Sequence, residues 1–193
     1  MTTLSPQRRA WRARAFVGAS LDGYLARPDG DLDWLTSLPE DVGHAATRGE
    51  HPGLEWETFF PEIDTLLMGR ETYETVAGFE EWPFTGLRVL VLSASDAAPT
   101  EDGRVRVVAG LVQACDLLDE VGAREVYVDG GRTVQSFLAA GVLDEITVST
   151  APVLLGAGRR LFGGLGADVQ LRVLGSHVTA DGLVRTTWEV RRG

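Results

Sequence analysis

The sequence predicts an α/β fold with three layers, in which a mostly parallel sheet lies between helices and ends in an antiparallel hairpin. Two observations support this prediction. Short apolar runs of strand length are followed by glycine turns and then by apolar residues at helical spacing, which is the pattern of βα units. The last two strand-like runs, over residues 169–177 and 183–191, are joined by the turn Ala180-Asp181-Gly182, as in a hairpin.

The other elements follow in order along the chain. Strands are expected at residues 13–20, 65–68, 88–93, 105–108, 126–128 and 144–150. Helices are expected at about 54–60, ending before Pro61, after Gly69, over 111–121 and after Gly131. Residues 21–34 are rich in turn-forming side chains and are expected to form a long loop that closes on Trp34. Residues 153–164 are expected to be irregular.

The composition is that of one globular domain. The chain has 193 residues, of which 44% are hydrophobic and 24% are charged, so it can bury a full core. The formal charge of −10 argues against nucleic acid or an anionic membrane as the partner. Cys115 is the only cysteine, which excludes a disulfide within the chain and suggests a cytoplasmic location. We expect residues 1–13 to be a loosely ordered basic tail and residues 14–193 to form the domain.

Three predicted strands end in turns of a similar kind. These turns are Gly69-Arg70-Glu71-Thr72, Ser93-Ala94-Ser95 and Gly130-Gly131-Arg132-Thr133. Because the carboxyl ends of parallel strands line one crevice, we expect the turns to lie together. Backbone N–H groups at a helix start, a hydroxyl and a guanidinium suit a phosphate, so the sequence favours a site for a dinucleotide. The plain alternative is a tight βα turn without a ligand, with Arg70 and Arg132 on solvated helix faces.

Five motifs follow one another along residues 13–191. They are FVGASLDGYLA at 16–26, DTLLMGRETYE at 64–74, VLVLS at 89–93, VYVDGG at 126–131 and APVLLGAGRRLF at 151–162. Together they resemble the dihydrofolate reductase-like superfamily, and most of all the C-terminal reductase domain of the bifunctional riboflavin-biosynthesis deaminase/reductase, RibD. The zinc-binding pattern of the deaminase half is absent from the sequence, and Cys115 with three scattered histidines predicts no metal site.

The resemblance implies a dihydrofolate reductase-like fold, NADPH as the cofactor and a homodimer. It further implies roles for individual residues. Ser93 is implied to contact the adenine ribose and Ala19 the nicotinamide amide. The residues implied to contact the phosphates are Gly69, Arg70, Thr72, Gly130, Gly131, Arg132 and Thr133. A preference for NADPH over NADH is physically sensible, because Arg70 offers a bidentate partner to the additional phosphate.

The residues on the substrate side are less sharply specified. Glu55 corresponds in position to the pterin-binding carboxylate of dihydrofolate reductases, and a surface glutamate beside Trp56 is the alternative. Asp22, Asp33 and Glu55 are therefore all candidates for orienting the substrate or assisting proton delivery. Trp34 and Phe59 are the aromatic candidates for substrate contact.

The predicted function is NADPH-dependent reduction of a small heterocycle or of a ribosylamino-pyrimidine. It resembles the 5-amino-6-(5-phosphoribosylamino)uracil reductase of riboflavin biosynthesis. Two alternatives stay open. One is a true dihydrofolate reductase, and the other is a module that binds NADPH without turnover.

Overall fold

The structure, a computed structural model, describes residues 9–36, 55–93 and 103–191. Within these ranges eight strands form one sheet, and two short strands form a second. The strands are β1 (Arg12–Ser20), β2 (Tyr24–Ala26), β3 (Thr65–Gly69), β4 (Arg88–Leu92), β5 (Val105–Val108), β6 (Glu125–Asp129), β7 (Glu145–Ala151), β8 (Arg159–Arg160), β9 (Leu171–Val178) and β10 (Val184–Val190). The helices are α1 (Asp33–Thr36), α2 (Trp56–Phe59), α3 (Arg70–Ala77), α4 (Leu111–Glu120) and α5 (Gly131–Ala139), with a 3₁₀ turn at Phe60–Glu62.

The large sheet has the order β5-β4-β3-β6-β1-β7-β10-β9. All neighbouring pairs from β5 to β7 are parallel, whereas β10 is antiparallel to both β7 and β9. The predicted parallel sheet with a C-terminal antiparallel hairpin is therefore confirmed. Strands β3, β6 and β1 are neighbours at its centre, so their carboxyl ends share one edge.

Apolar side chains cover both faces of the sheet and form the three layers. One core contains Val126 and Val128 of β6 together with buried residues of α4 and α5. The second core contains Tyr127 of the same strand together with residues of α2 and α3. Alternate residues of β6 thus point to opposite faces, as the period of a strand requires. Cys115 of α4 is buried in the first core, and its burial raises the pKa of the thiol to about 11.

The structure differs from the sequence prediction in the two loops. Residues 21–34 contain β2 and the first part of α1, and residues 153–164 contain β8, which pairs with β2. Gly158 makes this pairing possible, because a Cβ there would lie 2.1 Å from the carbonyl oxygen of Ala26. Pro61 does not follow the short helix directly but lies within the 3₁₀ turn, where proline is tolerated early. Leu54, Ala94 and Ser95 lie outside the described residues.

In the described parts of the chain, no helix has the length and apolar character needed to cross a bilayer.

Candidate active site

Two glycine turns interlock at the carboxyl edge of the sheet. Gly69 ends β3 and is the N-cap of α3, and Gly130 follows β6 and is the N-cap of α5. A Cβ at Gly130 would lie 2.4 Å from Thr72 Oγ1, and a Cβ at Gly69 would lie 3.0 Å from Thr133 Oγ1. Each turn therefore accommodates the threonine of the other helix only because it lacks a side chain. The sequence predicted this proximity, and the structure places all four residues together.

The backbone of this cradle has groups available for a ligand. Neither Gly69 nor Gly130 has a side chain to cap its helix, so the N-cap residue provides no side-chain acceptor for the first N–H groups of α3 or α5. Gly130 has φ = 87°, a conformation that glycine adopts without strain. Two helix starts with positive dipole ends that face one edge suit an anion with more than one phosphate.

Three arginines surround the cradle and are paired with glutamates on α3. Arg70 Nε lies 3.0 Å from Glu74 Oε1. Arg132 Nη1 and Arg159 Nη1 lie 3.5 and 3.0 Å from the two carboxylate oxygens of Glu71. These pairs are largely exposed to solvent, so each contributes little to stability, and the guanidinium groups are free to exchange partners. Arg159 was not among the predicted site residues, because only the β2–β8 pairing brings it to this edge.

The β2–β8 pair lies over the start of α5. A Cβ at Gly131 would lie 2.5 Å from Leu25 Cδ1 and 3.2 Å from the carbonyl oxygen of Arg160. Gln135 of α5 donates hydrogen bonds from Nε2 to the carbonyls of Arg160 and Leu161, at 3.0 and 3.1 Å. Gly131 therefore serves to let this small sheet approach the helix closely.

Asp22 joins the first loop to the loop after β7. Its carboxylate accepts hydrogen bonds from Ser20 Oγ at 2.7 Å, from the Leu155 N–H at 3.1 Å and from the Gly156 N–H at 2.7 Å. These donors, the Ser20 hydroxyl first, lower the pKa of Asp22 to about 2. A group that gives up its proton so readily is a poor proton donor near neutral pH. The geometry favours a role for Asp22 in holding the loops.

We expect Asp22→Asn to lower the melting temperature at pH 7. Because the folded-state pKa is depressed, the stabilisation by Asp22 is present above the unfolded pKa near 3.8 and is lost as pH falls toward about 2. The difference in melting temperature between the two proteins should therefore shrink between pH 5 and pH 3 in scanning calorimetry. A constant difference over this range would contradict the assignment.

The two remaining cofactor candidates lie at or beside the carboxyl ends of strands β1 and β4. Ala19 is near the end of β1, and its side chain is buried on the side of α4 and α5, so it presents backbone at this edge. Ser93 follows β4, is buried and donates its backbone N–H to the carbonyl of Val108. Their contacts with a cofactor stay a prediction.

The three predicted substrate-side residues of the loop and α2 have different environments. Asp33 is exposed at the start of α1. Trp34 is buried against Ala151 and Leu183, and its Nε1 has no hydrogen-bond partner among the described residues. Phe59 is 2% exposed, with its ring 5.3 Å from that of Tyr127. The rings of Trp34 and Phe59 thus pack against core residues, which favours an indirect role in substrate binding for both.

Glu55 belongs to a polar cluster that sequence reasoning did not predict. Its Oε1 lies 2.6 Å from His177 Nε2, and its Oε2 forms an ion pair with Arg185 Nη1. Arg185 Nε donates a hydrogen bond to Ser149 Oγ at 2.9 Å. The four residues come from α2, β9, β10 and β7, so no spacing along the chain could have indicated the cluster.

Asp129 was also not predicted as a site residue, because an aspartate before two glycines indicates only a turn. It ends β6 on the same face as Tyr127, and its carboxylate accepts the N–H of Gly130 at 2.8 Å. Burial raises the pKa of Asp129, an effect that the hydrogen bond from the Gly130 N–H only partly opposes. Burial also raises the pKa of the Tyr127 hydroxyl, which donates to the carbonyl of Phe16 at 2.9 Å. Burial thus favours the protonated form of Asp129 relative to an exposed aspartate.

Comparison with known proteins fits this geometry. The family model of the RibD C-terminal domain matches residues 84–185. The chain belongs to the RibD C-terminal domain family. Among solved structures, a protein of Shewanella sp. PV-4 that is assigned to riboflavin biosynthesis is 34% identical to this RibD-type chain. It superposes with a TM-score of 0.80 over 94% of this chain and 99% of the other.

The RibD-type chain is also similar to dihydrofolate reductases. HdrB, a dihydrofolate reductase of Haloferax volcanii, is 32% identical over 133 residues, which are 66% of this chain and 61% of HdrB. The dihydrofolate reductase of Enterococcus faecalis, solved in a complex with NADP(H), has a TM-score of 0.64 at 16% identity, covering 94% of this chain and 97% of its own. The latter similarity concerns the fold, which is dihydrofolate reductase-like as predicted. The family match and the similarity to HdrB, which is a reductase, support an oxidoreductase.

Proposed function

We propose that this RibD-type protein is an NADPH-dependent reductase of a ribosylamino-pyrimidine or a related small heterocycle. The observation that supports it best is the cradle of two interlocked glycine turns, with arginines on both sides, at the centre of the sheet's carboxyl edge. The family resemblance supports 5-amino-6-(5-phosphoribosylamino)uracil as the first compound to test.

The residues present fit a dinucleotide phosphate. A side chain at Gly130 would collide with Thr72 Oγ1, so its absence lets the two helix starts and their N–H groups lie close together. Gly69, Thr72, Gly130 and Thr133 would hold the pyrophosphate, and Arg70, Arg132 and Arg159 would pair with its charges and with the additional phosphate of NADPH. When bound, the nicotinamide supplies a hydride from its C4 atom.

Asp129 would supply the proton that balances the hydride. When a carbon of the substrate accepts a hydride, the bonded nitrogen or oxygen takes up the electron pair and needs a proton. Asp129 lies at the same sheet edge as the cradle, and burial raises the pKa of its carboxyl. The protonated Asp129 would transfer its proton to that atom and would be reprotonated from solvent, to which this half-buried residue has access.

The first test is a thermal-shift titration with NADPH and, in parallel, with NADH. Binding to the native state raises the melting temperature, with about 2.7 kcal/mol of stabilisation at a hundredfold excess over Kd. We expect a larger shift with NADPH than with NADH, and we expect Arg70→Ala to remove most of the NADPH shift. Arg172→Ala is the matched control, because Arg172 has the same kind of exposed ion pair, with Glu189, on the β9–β10 hairpin.

The outcome separates the candidate functions. The absence of a shift with either cofactor at millimolar concentration would contradict the reductase proposal. A shift with NADPH but no turnover of any candidate substrate would favour a binding module without catalysis.

A dihydrofolate reductase is the second candidate, and the 32% identity to HdrB favours it. In this case Glu55 would bind the pterin ring. NADPH oxidation with dihydrofolate that greatly exceeds the rate with the ribosylamino-pyrimidine would decide for this candidate.

We also propose a homodimer in the cytoplasm. Leu171, Val173 and Leu174 of the edge strand β9 are exposed, and an exposed apolar edge strand suits pairing with a second copy. A mass of one chain, 20.8 kDa, in light scattering at micromolar concentration would contradict the dimer.

A further inference from the structure

The cluster around Glu55 is built from a row of side chains across three strands. Ser149 of β7 and His177 of β9 both lie opposite Arg185 of β10 in the strand register. Ser149 also lies beside Gly18 of β1. Because partners in register project to the same face, Gly18, Ser149, Arg185 and His177 form one row on the face that α2 covers.

Glu55 is held over this row by two donors. The side chains of His177 and Arg185 are only 5% and 11% exposed, whereas that of Glu55 is 37% exposed. A buried guanidinium requires a partner of opposite charge, and Glu55 provides it. Arg185 is fixed in turn by Ser149 Oγ and by the ring of Phe16, which lies 5.1 Å from its Cζ.

The contacts with His177 and Arg185 direct the Glu55 carboxylate away from its own helix, α2. Glu55 is the N-cap of α2, yet its carboxylate makes no capping hydrogen bond and contacts β9 and β10 instead. Each carboxylate oxygen has about two lone-pair sites, and the cluster uses one site on each oxygen. The other sites are on a side chain that solvent reaches, so they can accept hydrogen bonds from a ligand.

We propose that Arg185 and His177 are positioning residues that fix Glu55 as an acceptor for N–H groups of the substrate. The inference rests on the proposed reductase function and assigns Glu55 to anchoring rather than to proton delivery. Asp129 lies on the other side of β1 from Arg185, and their strands β6 and β10 are three strand spacings, or about 14 Å, apart. This separation suits a heterocycle with an attached sugar, anchored at Glu55 and protonated near Asp129.

The experiment measures kcat and KM for 5-amino-6-(5-phosphoribosylamino)uracil, and Kd for NADPH, in variants of the cluster. We expect His177→Leu and Arg185→Met to raise KM about tenfold or more, with kcat changed less than about threefold, because they loosen an anchor that acts in ground and transition states alike. His177→Gln keeps an N–H donor and should restore KM to within about threefold. Arg172→Met, which breaks an exposed ion pair on the same hairpin, should leave all three constants unchanged.

Further variants keep the test decisive if Arg185→Met does not fold. Arg185→Lys retains the charge, and Glu55→Gln retains the shape of the anchor. In Glu55→Gln, the addition of His177→Leu should raise KM no further, because both changes act on the same anchor.

Several outcomes would overturn the inference alone: an unchanged KM in a folded His177→Leu protein, an equal loss in His177→Gln, or a weaker Kd for NADPH in these variants. A wild-type protein that reduces neither this compound nor dihydrofolate would instead overturn the reductase function and the inference together.

Discussion

Replacement of Asp129 by asparagine is expected to lower kcat about 100-fold or more, which is the usual effect of removing a general acid. Asparagine preserves the shape of the side chain and can still accept the N–H of Gly130, but it has no proton to transfer. The Kd for NADPH should change little, since the carboxyl is not among the groups proposed to hold the phosphates. Steady-state and single-turnover kinetics with the ribosylamino-pyrimidine would measure the effect.

The pH dependence gives a second criterion. Burial raises the pKa of Asp129, so the protonated, active form persists to higher pH than for an ordinary aspartate. The wild-type rate should fall as pH rises through this raised pKa, and the fall should be absent in Asp129→Asn. Asp33→Asn is the matched control, because Asp33 is an exposed carboxyl of the same region. If Asp33→Asn showed the larger loss in kcat, the proton donor would be Asp33.

The thermal stability of Asp129→Asn should rise, whereas its kcat should fall. For a group whose folded-state pKa is raised, the stabilisation is present below the unfolded pKa and is lost as pH rises through the folded pKa. Wild-type Asp129 therefore destabilises the folded state at neutral pH. Asp129→Asn should consequently melt at a higher temperature than the wild type at pH 8. A variant that is slower and more stable than the wild type is the combined result expected when a half-buried catalytic acid is replaced.

Gly130→Ala should destabilise the fold and abolish tight cofactor binding. The new Cβ would lie 2.4 Å from Thr72 Oγ1, and φ = 87° is strained for any residue with a side chain. Such strain costs about 1–3 kcal/mol, and each kcal/mol lowers the melting temperature of a domain of this size by roughly 2–4 °C.

Two further variants separate the causes. Gly141→Ala is the matched control, because Gly141 also has a positive φ, 67°, but has no atom within 4 Å of the added Cβ. It should lose stability without losing NADPH. Adding Thr72→Ala to Gly130→Ala removes the colliding hydroxyl and should recover part of the melting temperature. If Gly130→Ala bound NADPH as tightly as Gly141→Ala, the cradle would not be the cofactor site.

The sheet could be predicted because its central strands are buried on both faces and therefore appear as continuous apolar runs, such as residues 65–68 and 126–128. The β2–β8 pair could not, because it depends on contact between segments more than 130 residues apart and on the absence of a side chain at Gly158. Short strands of this kind have too few residues to show a period.

The same distinction applies to the site. The proximity of the two glycine turns was predictable because each turn is a local signal of glycine, arginine and threonine at a helix start. Asp129 was not, since the raised pKa of its carboxyl comes from burial beneath neighbouring elements rather than from its place before two glycines. The cluster of Glu55, His177 and Arg185 was invisible for a different reason, because its members come from three separate elements and meet only in the folded sheet.

The interlocked glycine turns also bear on how the chain assembles. Gly69 and Gly130 are about sixty residues apart, yet their strands β3 and β6 are hydrogen-bonded neighbours. Because each turn packs against a threonine of the other helix, the proposed cofactor site would form in a nascent chain only after β6 has docked beside β3. Bound cofactor would contact both turns and should in turn stabilise the association of β3, in the first half of the polypeptide, with β6, in the second half. The addition of cofactor should therefore slow amide hydrogen exchange along β3 and β6 more than along the distant β9–β10 hairpin.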